Sequence, residues 1–439
     1  MRLIGFIVLL QIVLLASPGD LDQSFGVKGK VFTKLQESGD FDRANSIIIQ
    51  EDGKIIVAGS SYRGNSPSLF ALARYNQDGK LDTTFGGDGK VVTEIGNIYA
   101  EINSIALRKN GDIIAAGNDR YYHSGNEEDD VVLARYASDG TYDTAFENQT
   151  DINDSNDLAE DLVLQNNGKI IVVGSTEKEN RYRYFIMHFN VDGNNDGTFG
   201  KNTMVVSEYQ TDSENDTANA VALQSNGKIV IAGASMKGGN DDFALARYNP
   251  ADGSLDKSFG KEKTGKVVRA ISGGHDLIYD IAIQKDDKIV AAGIMQNGNS
   301  FDLAVARFLP DGRIDTQFGN YGVVTTDIGG GYDEAEGIII QPNGKIIVTG
   351  YGEKDGSDVV VLIRYKQNGI LDSSFGDGGI VITKITDKNA YAKDITLQAD
   401  GRIVVTGYSN DSSVNDRKFT TIRYQGDPPT LAPLYYLLQ

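Results

Sequence analysis

One phrase recurs seven times along this chain and constrains what it can fold into. Gly-Lys-Ile-Ile-Val-Ala-Gly at Gly53–Gly59 returns as Gly111–Gly117, Gly168–Gly174, Gly227–Gly233, Asp287–Gly293, Gly344–Gly350 and Gly401–Gly407. The closing glycines stand 58, 57, 59, 60, 57 and 57 residues apart. A chain of 439 residues is long enough for about two or three ordinary domains. Repeats this regular instead bury their apolar faces on one another and form one body.

Residues 41–92 serve as the type unit. Two β-branched runs, Ser46–Gln50 and Lys54–Ala58, flank Glu51-Asp52-Gly53, which reads as a hairpin. A variable polar stretch, Ser60–Ser68, leads to a third strand at Leu69–Tyr75. The turn Asn76–Lys80 follows, and Leu81–Gly86 runs into a fourth strand at Lys90–Thr93. Helix periodicity is absent. The apolar residues are consecutive rather than alternating, so both faces of each sheet are expected to be buried. Four short antiparallel strands per unit at this period predict an all-β fold, a single seven-bladed β-propeller. A right-handed β-helix is the competitor, but its coils are much shorter and lack the repeated Asp-Gly hairpin.

Paired charges predict how the ring closes. Arg74 precedes Asp82 by eight residues, and the same offset joins Arg135 to Asp143, Arg307 to Asp315 and Arg364 to Asp372. Arg247 and Asp256 are nine apart, and the third unit has His188 and Asp196. Asp22 has no Arg before it at that offset, and Arg423 has no Asp after it. A ring resolves both if the N-terminal segment Asp20–Thr33 supplies the fourth strand of the last blade. Such closure removes the open edge that would invite aggregation.

The residues that carry this pattern resemble the bacterial delta-60 repeat. The matching elements are the phrase Leu-Asp-x-x-Phe-Gly (Leu21–Gly26, Leu81–Gly86, Leu255–Gly260, Leu371–Gly376), the Asp-Gly-Lys hairpin and the Ala-Arg-Tyr strand end. The likeness spans nearly all of residues 20–426. It departs at Tyr142–Glu147, which loses the final glycine, at Asp287 and at His188. It implies a seven-bladed propeller on an exported bacterial protein and brings no catalytic residues with it.

Composition narrows the partners. Lys and Arg total 42 against 61 Asp and Glu, a net charge of −19, which opposes unaided binding to nucleic acid or anionic lipid. Arg2 and the 14 apolar-rich residues Leu3–Ala16 read as a signal peptide ending near residue 19, too short for the roughly 20 residues of a membrane span. With no cysteine there is neither a disulfide nor a lipid-anchored thiol. The mature chain is expected to be a monomer that is secreted, periplasmic or on the surface of a bacterium. Residues 427–439 form a short tail outside the repeat.

Candidate chemistry follows the repeat and its exceptions. The pairs Arg74–Asp82, Arg135–Asp143, Arg247–Asp256, Arg307–Asp315, Arg364–Asp372 and Arg423–Asp22 are read as contacts that hold blades together. The recurring phenylalanines, such as Phe25 and Phe85, are read as blade packing. Asp192–Gly197 looks like a calcium loop, but it aligns with the ordinary Asp78–Asp82 turn and lacks the distal Glu. Asp42, Asp157, Asp216, Asp276 and Asp333 recur in the loop entering the first strand, where Ala100 and Ala390 stand in the other two units. They would either ring one mouth of the channel, binding calcium or basic groups, or cap turns by accepting backbone N–H bonds. The most variable segments, such as Asn118–Asp129 and Ser175–Arg183, join the second and third strands. There Tyr121, Tyr122, His123, Arg181, Tyr182, Arg183 and Tyr184 are a candidate contact patch. The three histidines have no nucleophile partner or metal-ligand spacing. These observations lead to a non-catalytic scaffold for a protein or glycan ligand. The alternative is a polysaccharide-acting enzyme with a carboxylate pair at the channel mouth.

Overall fold

The computed structural model describes residues 16–427, apart from 37–40, 63–66, 97, 124–125, 153–154, 202, 386–387 and 411–415. They form seven antiparallel four-stranded blades, and a parallel bridge from Phe41 to Arg417 joins the ladders of the last and first. Blade 1 runs Phe41–Ile49, Ile55–Tyr62, Ser68–Tyr75 and Lys90–Thr93. Among the described residues no helix is long and apolar enough to cross a membrane.

Local chemistry explains the strands. At the first hairpin Gly53 donates its N–H to Gln50 O (2.8 Å) from a left-handed backbone (φ 80°), a tight turn followed by a one-residue bulge. The fifth unit keeps that conformation without glycine, because Asp287 sits at φ 62° and Asp tolerates the left-handed region. The second and third strands are buried along nearly their whole length, and the apolar clusters lie between blades. Phe70 and Leu72 of blade 1, for example, pack on Ile102, Ile113 and Val132 of blade 2. The segment Asn118–Asp129, expected as loop, is mostly strand. Its hairpin runs Ile113–His123 and Asn126–Tyr136 because the ladder pairing continues almost to the tip.

The ring closes as the paired charges require. Lys30–Thr33 is the fourth strand of blade 7, pairing with Phe419–Ile422, and Leu21 bridges Tyr424. Arg423 Nε donates to Asp22 Oδ2 at 2.7 Å, with both side chains buried. The other pairs repeat this contact at 2.8–3.0 Å between Nε and the carboxylate, and His188 Nδ1 substitutes at 2.9 Å from Asp196. Each guanidinium also lies 4.5–4.8 Å from the centre of the recurring Phe ring. Most of them reach across the seam as well. Arg247 Nη1 donates to Pro310 O and Arg423 Nη1 to Gln77 O, each at 2.5 Å, in the next blade. The glycine after the Phe adds a second link, as Gly86 N donates to Asp139 O at 2.9 Å.

Removing one partner of a buried pair leaves an uncompensated charge, at a cost of about 3–5 kcal/mol. Asp22→Ala is therefore expected to lower stability by that amount. Asp143→Ala, whose pair with Arg135 is 30% exposed on both sides and screened by solvent, should cost far less. Urea denaturation of the two variants measures the difference, and equal losses would contradict closure through Asp22.

Candidate functional site

The innermost strands are Phe41–Ile49, Tyr99–Leu107, Asp157–Leu164, Asn215–Leu223, Asp276–Ile283, Glu334–Ile340 and Ala390–Leu397. Each carries a β-bulge at the same place, which turns one extra side chain toward the axis. The seven bulged residues are Asn45, Asn103, Glu160, Asn219, Tyr279, Glu336 and Lys393, and all of them line a central channel of about 400 Å³. Sequence reasoning missed this set. Its one signal was a position in the first strand that the repeat leaves unlike from unit to unit.

The channel is acidic and uneven. Asp161, Asp280 and Asp394 follow the bulges of blades 3, 5 and 7. Each accepts a backbone N–H from the next blade at 2.8 Å, from Val221, Ile338 and Ile47 respectively. Enclosure raises all three carboxyl pKa values, Asp394 to about 6, and for Asp280 and Asp394 the charge of the other channel aspartates adds to the effect. Burial likewise lifts Glu160 and Glu334 to about 7, Glu334 also through the charge of Glu336. Lys393 Nζ pairs with Glu336. Beside the channel an aromatic arc spans blades 6, 7 and 1. Ring centres of Tyr351, Tyr391 and Tyr408 follow one another at 4.9 Å, and the Arg43 and Arg417 guanidinium groups both lie 5.0 Å from Tyr408. The charge of Glu334 raises the pKa of the Tyr279, Tyr332 and Tyr351 hydroxyls beyond what burial alone does.

The five recurring carboxylates point elsewhere. Asp42, Asp157, Asp216, Asp276 and Asp333 are fully buried, and none lines the channel. Four accept N–H bonds from their own entry loops: Asp42 from Leu35 (2.9 Å), Asp157 from Ile152 (2.6 Å), Asp276 from Ile271 (2.7 Å) and Asp333 from Ile328 (2.7 Å). Asp216 takes the Ser213 hydroxyl. They sit as turn caps rather than as a ring open at the mouth.

Among the described residues, the candidate patch on blades 2 and 3 is not one exposed surface. Tyr184 belongs to the core, with no exposure and its hydroxyl 2.6 Å from that of Tyr248, because its strand position faces the next blade. Arg181 is exposed. Arg183 donates to Tyr182 O (2.8 Å) and lies 4.0 Å from Asp216. Tyr121 donates to Gln149 Oε1 at 3.0 Å. The side chains of Tyr122 and His123 lie outside the described residues.

The family described as domain of unknown function (DUF5122) beta-propeller matches residues 50–85, 108–146, 165–199, 224–259, 284–318, 341–375 and 398–420. No curated protein matches the chain in sequence. Similar solved structures include an ulvan lyase, a polysaccharide lyase, at 12% identity and TM-score 0.47, covering 94% of this chain and 95% of that one. Sqt1 of Chaetomium thermophilum is similar at 10% identity and TM-score 0.44, covering 88% and 86%. A protein of unknown function from Bacteroides caccae is similar at 13% identity and TM-score 0.39, covering 72% and 90%. At these values nothing about activity passes to this chain.

The two classes of carboxylate act oppositely on stability. Channel groups with raised pKa values make the folded state bind more protons than the unfolded one, so stability falls as pH rises from about 4 toward 7. Seam carboxylates are held low by their hydrogen-bonded hydroxyls and basic partners, Asp256 and Asp372 to about 2. Their stabilisation is complete above about pH 4 and is lost as pH falls through about 2. The melting temperature in chelator-containing buffer is expected to peak near pH 4–5 and to decline toward pH 8. A steady rise from pH 5 to pH 8 in calorimetry would overturn the assignment.

Proposed function

We propose that this chain, which belongs to the domain of unknown function (DUF5122) beta-propeller family, is an exported bacterial scaffold that binds glycans without cleaving them. The observation that carries the reading is the break in symmetry at the channel. The repeated Arg–Asp pairs hold blades together, whereas among the described residues the arc Tyr351–Tyr391–Tyr408 with Arg43 and Arg417 occurs at one place on the ring. Tyrosine offers a rigid, amphipathic contact surface at low entropic cost. Sugar rings present apolar C–H faces to such a surface and hydroxyls to the carboxylates and guanidinium groups around it. The negative net charge favours neutral or amino sugars over sulfated chains. The apolar N-terminal segment supports export.

A second reading, a polysaccharide hydrolase or lyase, has one observation in its favour. Glu336 is the bulged residue of blade 6 and Glu334 stands two residues before it; burial and the charge of Glu336 hold Glu334 near pKa 7, suited to general acid or base work. The test is a glycan array with the mature chain, followed by calorimetry on the best ligand. Tyr351→Ala and Tyr391→Ala should each weaken binding at least tenfold, about 1.4 kcal/mol. An empty array, or affinity untouched by both substitutions, would sink the proposal. Release of new chain ends from the bound polysaccharide, abolished by Glu334→Gln, would replace it with the second reading.

A further inference from the structure

The seam between blades 2 and 3 differs from the rest. Its ion pair, Arg135–Asp143, is 30% exposed on both sides, whereas the Arg–Asp pairs of the other blades are at most 11% exposed. Glu147 stands where other blades have the glycine whose N–H crosses to the next turn, and side chains reach over instead, Asn148 Nδ2 to Gly193 O at 3.3 Å and Arg108 Nη2 to Val191 O at 2.5 Å. At the opposite edge of this seam, carboxylate oxygens of Asp130, Asp151 and Asp157 lie within 4.8 Å of one another. Asp130 comes from the third strand of blade 2, Asp151 from the connecting loop and Asp157 from the first strand of blade 3.

Crowded carboxylates alone do not make a site. The second observation is that Asp157 is fully buried and its Oδ1 has no hydrogen-bond partner, although the Thr176 hydroxyl lies near enough to favour the charged form. Comparison around the ring shows what is unusual. Asp42 and Asp216 also have an orphan Oδ1, but each feels a basic side chain of the chain itself, Lys34 and Arg183 respectively. At the seam of blades 5 and 6 the same three positions are again acidic, as Asp302, Asp327 and Asp333. There both oxygens of the buried Asp333 are bonded, to Ile328 N and Glu353 N (2.7 and 3.2 Å), so it has no orphan oxygen like that of Asp157. Asp157 combines the orphan oxygen with Asp151 and Asp130 as its nearest charges, and these with burial raise its pKa to about 7.

We propose that Asp130, Asp151 and Asp157 bind a divalent cation, calcium in preference, that ties blade 2 to blade 3. All-oxygen carboxylate donors suit a hard cation, and calcium accepts about 6–8 oxygens in flexible geometry. The exposed Asp151 leaves a side open for water ligands and for entry. The cation would supply the cross-seam link that Glu147 removes. The site is independent of the glycan arc and does not rest on it.

Terbium luminescence tests the proposal on the whole mature chain. The protein has no tryptophan, and Tyr121 hydrogen-bonds Gln149, whose Nε2 donates to Asp130 Oδ2 at 2.9 Å, so a sensitiser stands beside the site. Wild type should show saturable tyrosine-sensitised terbium emission that calcium displaces. Asp151→Asn, at an exposed position where folding is preserved, should weaken terbium binding at least tenfold. Asp302→Asn, at the sister seam, should leave it unchanged. Absence of calcium-displaceable emission, or equal affinity in Asp151→Asn, would overturn the proposal.

Discussion

A guanidinium buried at the seam between blades is the contact on which the ring depends. Arginine has five donors in a fixed fork, and here they are divided between an Asp of its own blade and a carbonyl of the next, with the recurring Phe ring beneath. A lysine would satisfy one of these and leave the others. Blade 3 shows the cost of departing from the rule. His188 has two nitrogens, which go to Asp196 and to Gln165 of its own blade. No donor remains for the neighbour, and the positive charge beside Asp196 comes from Lys169 at 2.6 Å, the counterpart of Lys54, Lys228, Lys288 and Lys345 in blades that keep their arginine.

This contact was legible in the sequence because its partners sit at a near-constant offset, and closure was legible because Asp22 and Arg423 lacked mates at that offset. The channel was not. Its lining is set by bulges, and a bulge leaves no signature in an apolar run: Asn45 lies between Ala44 and Ser46 with nothing to mark it. The seven bulged residues are chemically unlike, so superposing the repeats calls the position variable without saying that it converges on the axis. The recurring Asp positions were visible but their direction was not. Whether a carboxylate faces the channel or turns back on its own loop depends on the loop path, which repeat spacing does not encode.

The residues after the bulges read Ser46, Ser104, Asp161, Ala220, Asp280, Gly337 and Asp394 around the ring. No two aspartates are neighbours, so each carboxylate has a small residue beside it. With an odd number of blades the alternation cannot close, and the mismatch falls at the two serines. Five of these side chains accept an N–H from the next blade, the serines from Ile105 and Leu162 at 3.3 Å.

Ala220 and Gly337 have no side-chain oxygen to offer, and at those two seams the bulged residue makes the crossing, as Asn45 and Asn103 also do beside the serines, to Ile102 O and Ala159 O at 2.9 and 2.8 Å. Asn219 Nδ2 donates to Ile278 O at 2.7 Å, and Lys393 pairs with Glu336. The chemistry that makes the channel unlike its repeat is therefore also what holds its inner edge together. Glu336 and Lys393 are not free to drift as surface loops are, because losing either leaves a half-enclosed charge unpaired and opens the seam between blades 6 and 7. A site built this way is pre-organised by the same interactions that close the ring.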